Sequence, residues 1–259
     1  MSYEIIFPII LAATLLIMLV FMARMLLSKQ HLLVVAFFAL AAACFLFSTL
    51  YWIVYDLLRP DVRMPFAANE ICEWALFLLT ASSLRAAFPK GGLLLKTACI
   101  PAALFTAANI ALWIAWSGEW MQDILAGLSL GWFLCVLLSC LFRCGAFSRV
   151  EWIAVGAVSA LLIAAQTMTF LLPDKAQTFD MIGYIILFSV DVWLIVKTIR
   201  AVKKGDRPQQ GLCLSYAAWA WAMIAMYMSG GWLYSAALLV ATLCFLLIFL
   251  AIGKEVRAE

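Results

Sequence analysis

The sequence predicts an all-α, polytopic integral membrane protein with nine transmembrane helices, eight being the alternative count. Three observations carry this. Of 259 residues, 68% are hydrophobic and 12% are charged, whereas soluble domains run at about half apolar and about a quarter charged. The apolar residues fall into runs of about 20, the length at which a helix crosses a hydrocarbon core. The basic residues gather on alternate connections between those runs, as the positive-inside rule requires. With a mean hydropathy of +1.09, residues 1–259 are expected to form a single transmembrane domain with no soluble domain.

Span 1, residues 4–28, follows the acidic flank Met1-Ser2-Tyr3-Glu4. It is longer than the apolar core of a signal peptide and lacks the basic start, so it is expected to stay in the protein. Span 2, residues 31–57, begins at His31, expected at the interface. It ends in Tyr51, Trp52 and Tyr55, amphipathic rings that suit the membrane boundary. Span 3, residues 66–87, opens on FAANEICEWALFLL, which places Glu70 and Glu73 at i, i+3 on one helix face. Span 4, residues 93–116, carries Ala98, Ala102 and Thr106 at four-residue spacing, a stripe that lets helix backbones approach. Span 5, residues 120–143, has Asp123 in its first turn, where an acid suits the positive end of the helix dipole. Span 6, residues 150–172, repeats the small-residue stripe with Gly156, Ala160 and Ala164. Span 7, residues 177–201, contains Asp180, Tyr184 and Asp191. Residues 211–253 are too long for one span, and Ser229-Gly230-Gly231 offers a turn. Two spans, 211–228 and 232–253, are the expected solution.

Charge gives the sidedness. Arg24 and Lys29 follow span 1. Arg85, Lys90 and Lys96 surround the connection from span 3 to span 4, and Arg143 and Arg149 lie between spans 5 and 6. Lys197, Arg200, Lys203, Lys204 and Arg207 gather between spans 7 and 8, and Lys254 and Arg257 follow span 9. Only Arg59, Arg63 and Lys175 fall on the other connections. The N-terminus is therefore expected outside and the C-terminus in the cytoplasm, which an odd number of spans satisfies. A plasma-membrane, multi-pass protein of bacterial type is expected, with the lipid bilayer as its principal partner.

This topology makes the outer side acidic. Glu4, Asp56, Asp61, Glu70, Glu73, Glu119, Asp123, Asp174 and Asp180 all fall there. Asp191 is different. Eleven residues after Asp180, it is about 20° away in azimuth and about 16 Å deeper, near the middle of the bilayer. Tyr184 lies close to the same stripe. An ionisable group at that depth is costly, so it should face the bundle interior or mark an ion or ligand path. Asn109 on span 4 and Gln166 on span 6 could line the same space, although each also suits an interhelical hydrogen bond. Aromatic residues crowd the outer side as well. They include Trp113, Trp116, Trp120, Tyr227, Trp232 and Tyr234, which suits both an interface belt and a site for an organic cation.

Chemistry with a sequence signature is missing. There is no HExxH, no GxSxG and no phosphate-binding loop. The eight cysteines contain no CxxC, and His31 is the one histidine, so neither a disulfide framework nor a zinc site is expected. No cofactor, catalytic residue, metal or nucleic-acid partner is expected. The favoured function is binding or transport of a small cationic solute through an outward-facing acidic cavity between spans 3, 5 and 7. Its candidate binding residues are Glu70, Glu73, Asp191, Asp123, Asp180, Tyr184, Asn109 and Gln166, with a proton as a second candidate ligand. The alternative is a membrane sensor or accessory subunit that passes an external signal to a cytoplasmic or membrane protein partner. A membrane-embedded enzyme is the third reading.

Overall fold

A computed structural model describes residues 3–28, 32–58, 68–88, 94–204 and 207–258. His31, Lys29, Arg59, Asp61, Arg63 and Lys90 lie outside the described residues, as do the side chains of Glu4, Asp56 and Arg257. Among the described residues there is no strand. The elements are α1 (Tyr3–Leu27), α2 (Leu32–Leu58), α3 (Ala68–Ala86), α4 (Lys96–Ser117), α5 (Trp120–Cys144), α6 (Arg149–Leu171), a 3-10 turn (Pro173–Lys175), α7 (Ala176–Lys204), α8 (Pro208–Tyr227) and α9 (Gly231–Ala258). Among the described residues, seven of the nine helices are long and apolar enough to cross a membrane, which makes the chain a multi-pass membrane protein. The two that fall short by composition are α3 and α8.

The composition of α8 has a packing reason. Every residue from Gly211 to Met226 is buried. No face of α8 meets lipid, so it has less need of lipid-soluble side chains, and Ala, Tyr and Trp make up much of it. It packs against α9, α7 and α5. Trp219, at its middle, touches the rings of Phe77 on α3, Phe133 on α5 and Phe245 on α9, at centroid separations of 5.8, 5.6 and 5.5 Å. Offset and edge-on ring pairs of this kind are favourable beyond their buried area. Polar contacts pin α8 to α3 as well. The Tyr216 hydroxyl donates to Ser83 Oγ at 2.9 Å, and Ser83 donates to the Val34 carbonyl on α2 at 2.9 Å. Hydroxyls inside a bundle must find such partners, because no water is present to satisfy them.

Around this centre, α2 packs between α1 and α3, α3 packs on α5, and α1 closes against α9. The α4–α5 pair is a tight hairpin. Gly118 caps α4 in the left-handed conformation (φ 74°), and its N–H returns to the Ile114 carbonyl. Along this pair the predicted small face of α4 is buried at Ala98, Ala102 and Thr106. It meets Gly127 and Gly131 of α5, where an added Cβ would lie 2.2 Å from Ile110 Cγ1 and 2.8 Å from Thr106 Cγ2. The α5–α6 connection is equally short. Gly145 (φ 61°) ends α5, and Ser148 with Glu151 forms a capping box that starts α6. Glu151 also pairs with Lys197 of α7, whose ammonium sits 4.6 Å from the ring centre of Phe147.

The stripe expected to pack α6 does not do so. Gly156, Ala160 and Ala164 are exposed, and nothing lies within 4 Å of a Cβ built on Gly156. The buried side of α6 is the one that carries Leu162 and Ala165. That side meets α7 at Gly183, where an added Cβ would lie 3.1 Å from Gln166 Nε2 and 3.9 Å from Leu162 Cδ1.

Candidate functional site

Three helices turn polar and aromatic stripes toward one another at one end of the bundle. On α3 the stripe is Glu70, Glu73, Trp74 and Phe77, spaced i, i+3, i+4, i+7. On α5 it is Glu119, just before the first turn, then Gln122, Asp123 and Ala126, with the same spacing. On α4 it is Trp113, Trp116 and Ser117. This spacing places each set on one face of its helix. With Tyr227 of α8 they line a cavity of about 170 Å³. Four carboxylates line it, and among the described residues no lysine or arginine does.

The carboxylates are held, not loose. Glu73 Oε1 accepts from Ser48 Oγ on α2 at 2.9 Å, and Oε2 accepts from the Tyr227 hydroxyl at 2.9 Å. The Trp52 side chain adds a further hydrogen bond to the same carboxylate. All the donors are neutral, so they fix the orientation of Glu73 without bringing a counter-charge to it. Donors from α2 (Ser48, Trp52) and α8 (Tyr227) thus converge on this one carboxyl group. Glu70, one turn earlier, is only 7% exposed. Asp123 accepts from Ser117 Oγ, and that hydroxyl in turn accepts from the Glu119 N–H at 2.9 Å, so the α4–α5 turn braces its own acid.

Below this layer the cavity stops. Phe77 forms part of its lining and packs on Phe133 and Trp219, at centroid distances of 6.2 and 5.8 Å. On the side wall Tyr227 meets Phe77 at 6.3 Å and Trp113 at 6.2 Å. The walls are thus acid toward the rim and aromatic toward the floor.

The eight residues singled out from sequence fall into two groups of three and two isolated positions. Glu70, Glu73 and Asp123 come together in the cavity. Asp180, Tyr184 and Gln166 form a separate contact between α6 and α7. There Thr169 Oγ1 donates to Asp180 Oδ1 at 3.1 Å, Tyr184 lies beside Asp180, and Gln166 Nε2 packs over Gly183. Asn109 is buried in α4 and donates to the Phe105 carbonyl of its own helix at 2.8 Å. Asp191 is 1% exposed within α7, lies near Cys244 of α9, and neither of its carboxylate oxygens has a hydrogen-bond partner.

The expected cavity between spans 3, 5 and 7 is therefore corrected: its walls come from α3, α4, α5 and α8, and α7 contributes none of its lining. The physical reason is that α8 occupies the centre and stands between α3 and α7. Sequence reasoning passed over Trp74, Phe77, Gln122 and Ser48. Trp74 was within reach, being at i+4 from Glu70 on the same face. Ser48 was not, and Tyr227, although expected among the outer aromatics, could not be paired with Glu73, because nothing in the sequence says that α8 flanks α3. Among the described residues no group of three or more His, Cys, Asp or Glu side chains converges as metal ligands. Compared with known proteins, this chain matches no family model, no curated protein and no solved structure.

Proposed function

We propose that this membrane protein binds a small cation in the α3–α4–α5–α8 cavity, as the first step of carrying it across the membrane. On this reading all nine helices span the bilayer, with the N-terminus outside, and the cavity opens outward. The observation that carries the proposal is the four-carboxylate lining with no basic side chain on it. Like charges gathered in a partly enclosed cavity repel one another and lose hydration, and a cation relieves both costs at once. Focused negative potential also raises the local concentration of cations and their association rate. Asp191 is the deep group on this reading, beyond the aromatic floor, and is suited to exchanging a proton.

That floor favours a second reading. Phe77, Phe133 and Trp219 close the cavity beneath the acids. A site that admits a cation without passing it on suits a sensor or accessory subunit. Ligand binding at Glu73 would then be felt by α2 and α8 through Ser48 and Tyr227, and by a partner at the basic α7–α8 connection.

Thermal-shift titration of the purified chain in detergent, against chlorides of alkali metals, alkaline earths and amines, tests the binding step. A ligand at 100 times its Kd stabilises the folded state by about 2.7 kcal/mol. A saturable rise in melting temperature is expected, and Glu70→Gln/Glu73→Gln is expected to lose it. No shift from any cation, or an equal shift in the variant, would overturn the assignment. Flux of the stabilising cation into proteoliposomes then separates carriage from sensing.

A further inference from the structure

We propose that the cation this cavity accepts is a compact quaternary ammonium, its nitrogen fully alkylated, held by aromatic faces, and not a metal ion or a primary ammonium. The inference rests on the cation-binding reading above and names the ligand class.

The acids do not form a chelate. A calcium ion takes about 6–8 oxygen ligands at short range, and magnesium requires a near-octahedral shell. Here the two Glu73 oxygens are directed at Ser48 and Tyr227, and Asp123 is engaged by Ser117. Converging metal ligands are lacking among the described residues. A primary ammonium meets a related difficulty. Its three N–H donors each need an acceptor, and to reach Glu73 they would compete with the hydroxyls already there. A fully alkylated nitrogen has no donor to satisfy. It asks only for negative potential nearby and for π faces against its methyl groups, the arrangement by which aromatic cages bind quaternary ammonium.

The cavity supplies both. Trp74, Phe77, Trp113 and Tyr227 give it aromatic walls, and three of these rings are contiguous, with Tyr227 packed against both Phe77 and Trp113. An interface belt accounts for Trp116, which is 77% exposed, but not for Phe77, which is 2% exposed. The volume agrees as well. About 170 Å³ is close to the roughly 150 Å³ of an engineered cavity that holds benzene, so a cation of about six non-hydrogen atoms fits and a drug-sized one does not.

The test is isothermal titration calorimetry of the full chain in detergent at constant ionic strength. The ligands are tetramethylammonium, methylammonium, sodium and calcium chlorides. Tetramethylammonium is expected to bind on the order of tenfold more tightly than methylammonium, as cation–π contacts in a desolvated site allow. Trp113→Leu should weaken tetramethylammonium on the order of tenfold while moving methylammonium less than about twofold, and Trp113→Phe should recover most of the loss. Gel filtration and melting of each variant establish that it is folded. Glu70→Gln/Glu73→Gln should weaken both amines. If methylammonium or calcium binds more tightly than tetramethylammonium and still needs the two glutamates, the cation site stands and this ligand class is overturned. If no ligand binds, both readings fail.

Discussion

At the scale of single residues, two buried acids have opposite circumstances. Glu73 is surrounded by donors. Asp191 has none: both its oxygens are inaccessible and without a hydrogen-bond partner. A buried polar group left without a partner costs about 1–3 kcal/mol, and replacing it with an apolar group of similar size removes that cost. Asp191→Leu is therefore expected to leave the melting temperature in detergent unchanged or raise it, by up to about 3 kcal/mol of stability, while Asp191→Asn stays close to the parent. A marked loss of stability in Asp191→Leu would show that the carboxyl has a structural partner. If Asp191 exchanges a proton during transport, both variants should fold and neither should carry solute. The sequence already marked Asp191 as out of place, because depth follows from counting residues along one helix. It could not show that Glu73 has donors and Asp191 has none, because the neighbours of both lie on other helices. Ser48 precedes Glu73 by 25 residues and Tyr227 follows it by 154.

At the scale of elements, the helices were legible and their faces only partly so. Expected spans such as 120–143 and 150–172 correspond to Trp120–Cys144 and Arg149–Leu171, because hydropathy and glycine turns are properties of one segment. Which side of a helix packs is a property of two. The small stripes on α4 and α6 look alike in sequence, yet one is pressed against α5 and the other is bare. Two substitutions separate them. Gly127→Ala places a Cβ 2.2 Å from Ile110 Cγ1 and is expected to destabilise by about 1–3 kcal/mol, the usual cost of overpacking. Gly156→Ala meets nothing within 4 Å and is expected to stabilise by about 0.5–1 kcal/mol through helix propensity alone. Thermal unfolding in detergent measures both. Equal effects would mean that α6 is packed more tightly than its exposure indicates.

At the scale of the whole molecule, charge and cavity are arranged along one axis. The four acids of the cavity occupy one end, where α4 turns into α5. Lys203, Lys204 and Arg207 lie at the opposite end, where α7 leads to α8. If the positive-inside rule governs this chain, the cavity end faces out. A single cysteine at position 116, on a background with the native cysteines replaced, is expected to react with a membrane-impermeant thiol reagent in intact cells. One at position 207 is expected to react only after lysis. The reverse pattern would invert the protein and place its acidic cavity in the cytoplasm.

The enclosure of α8 also bears on how the protein is made. A segment rich in Ala, Tyr and Trp, with Pro-Gln-Gln at its start, has less tendency than its neighbours to leave the translocation channel for lipid by itself. Six of the seven helices before it are apolar enough to cross a membrane by themselves, and α9, which follows after a short turn, is among the most apolar of all. On the reading in which all nine helices span the bilayer, α8 would enter the membrane as the partner of α9 and slot into the bundle formed by the helices before it. Its insertion would then be the committed step of biogenesis. A chain halted before α9 would leave α8 stranded and the cavity without Tyr227, a substrate for quality-control proteolysis.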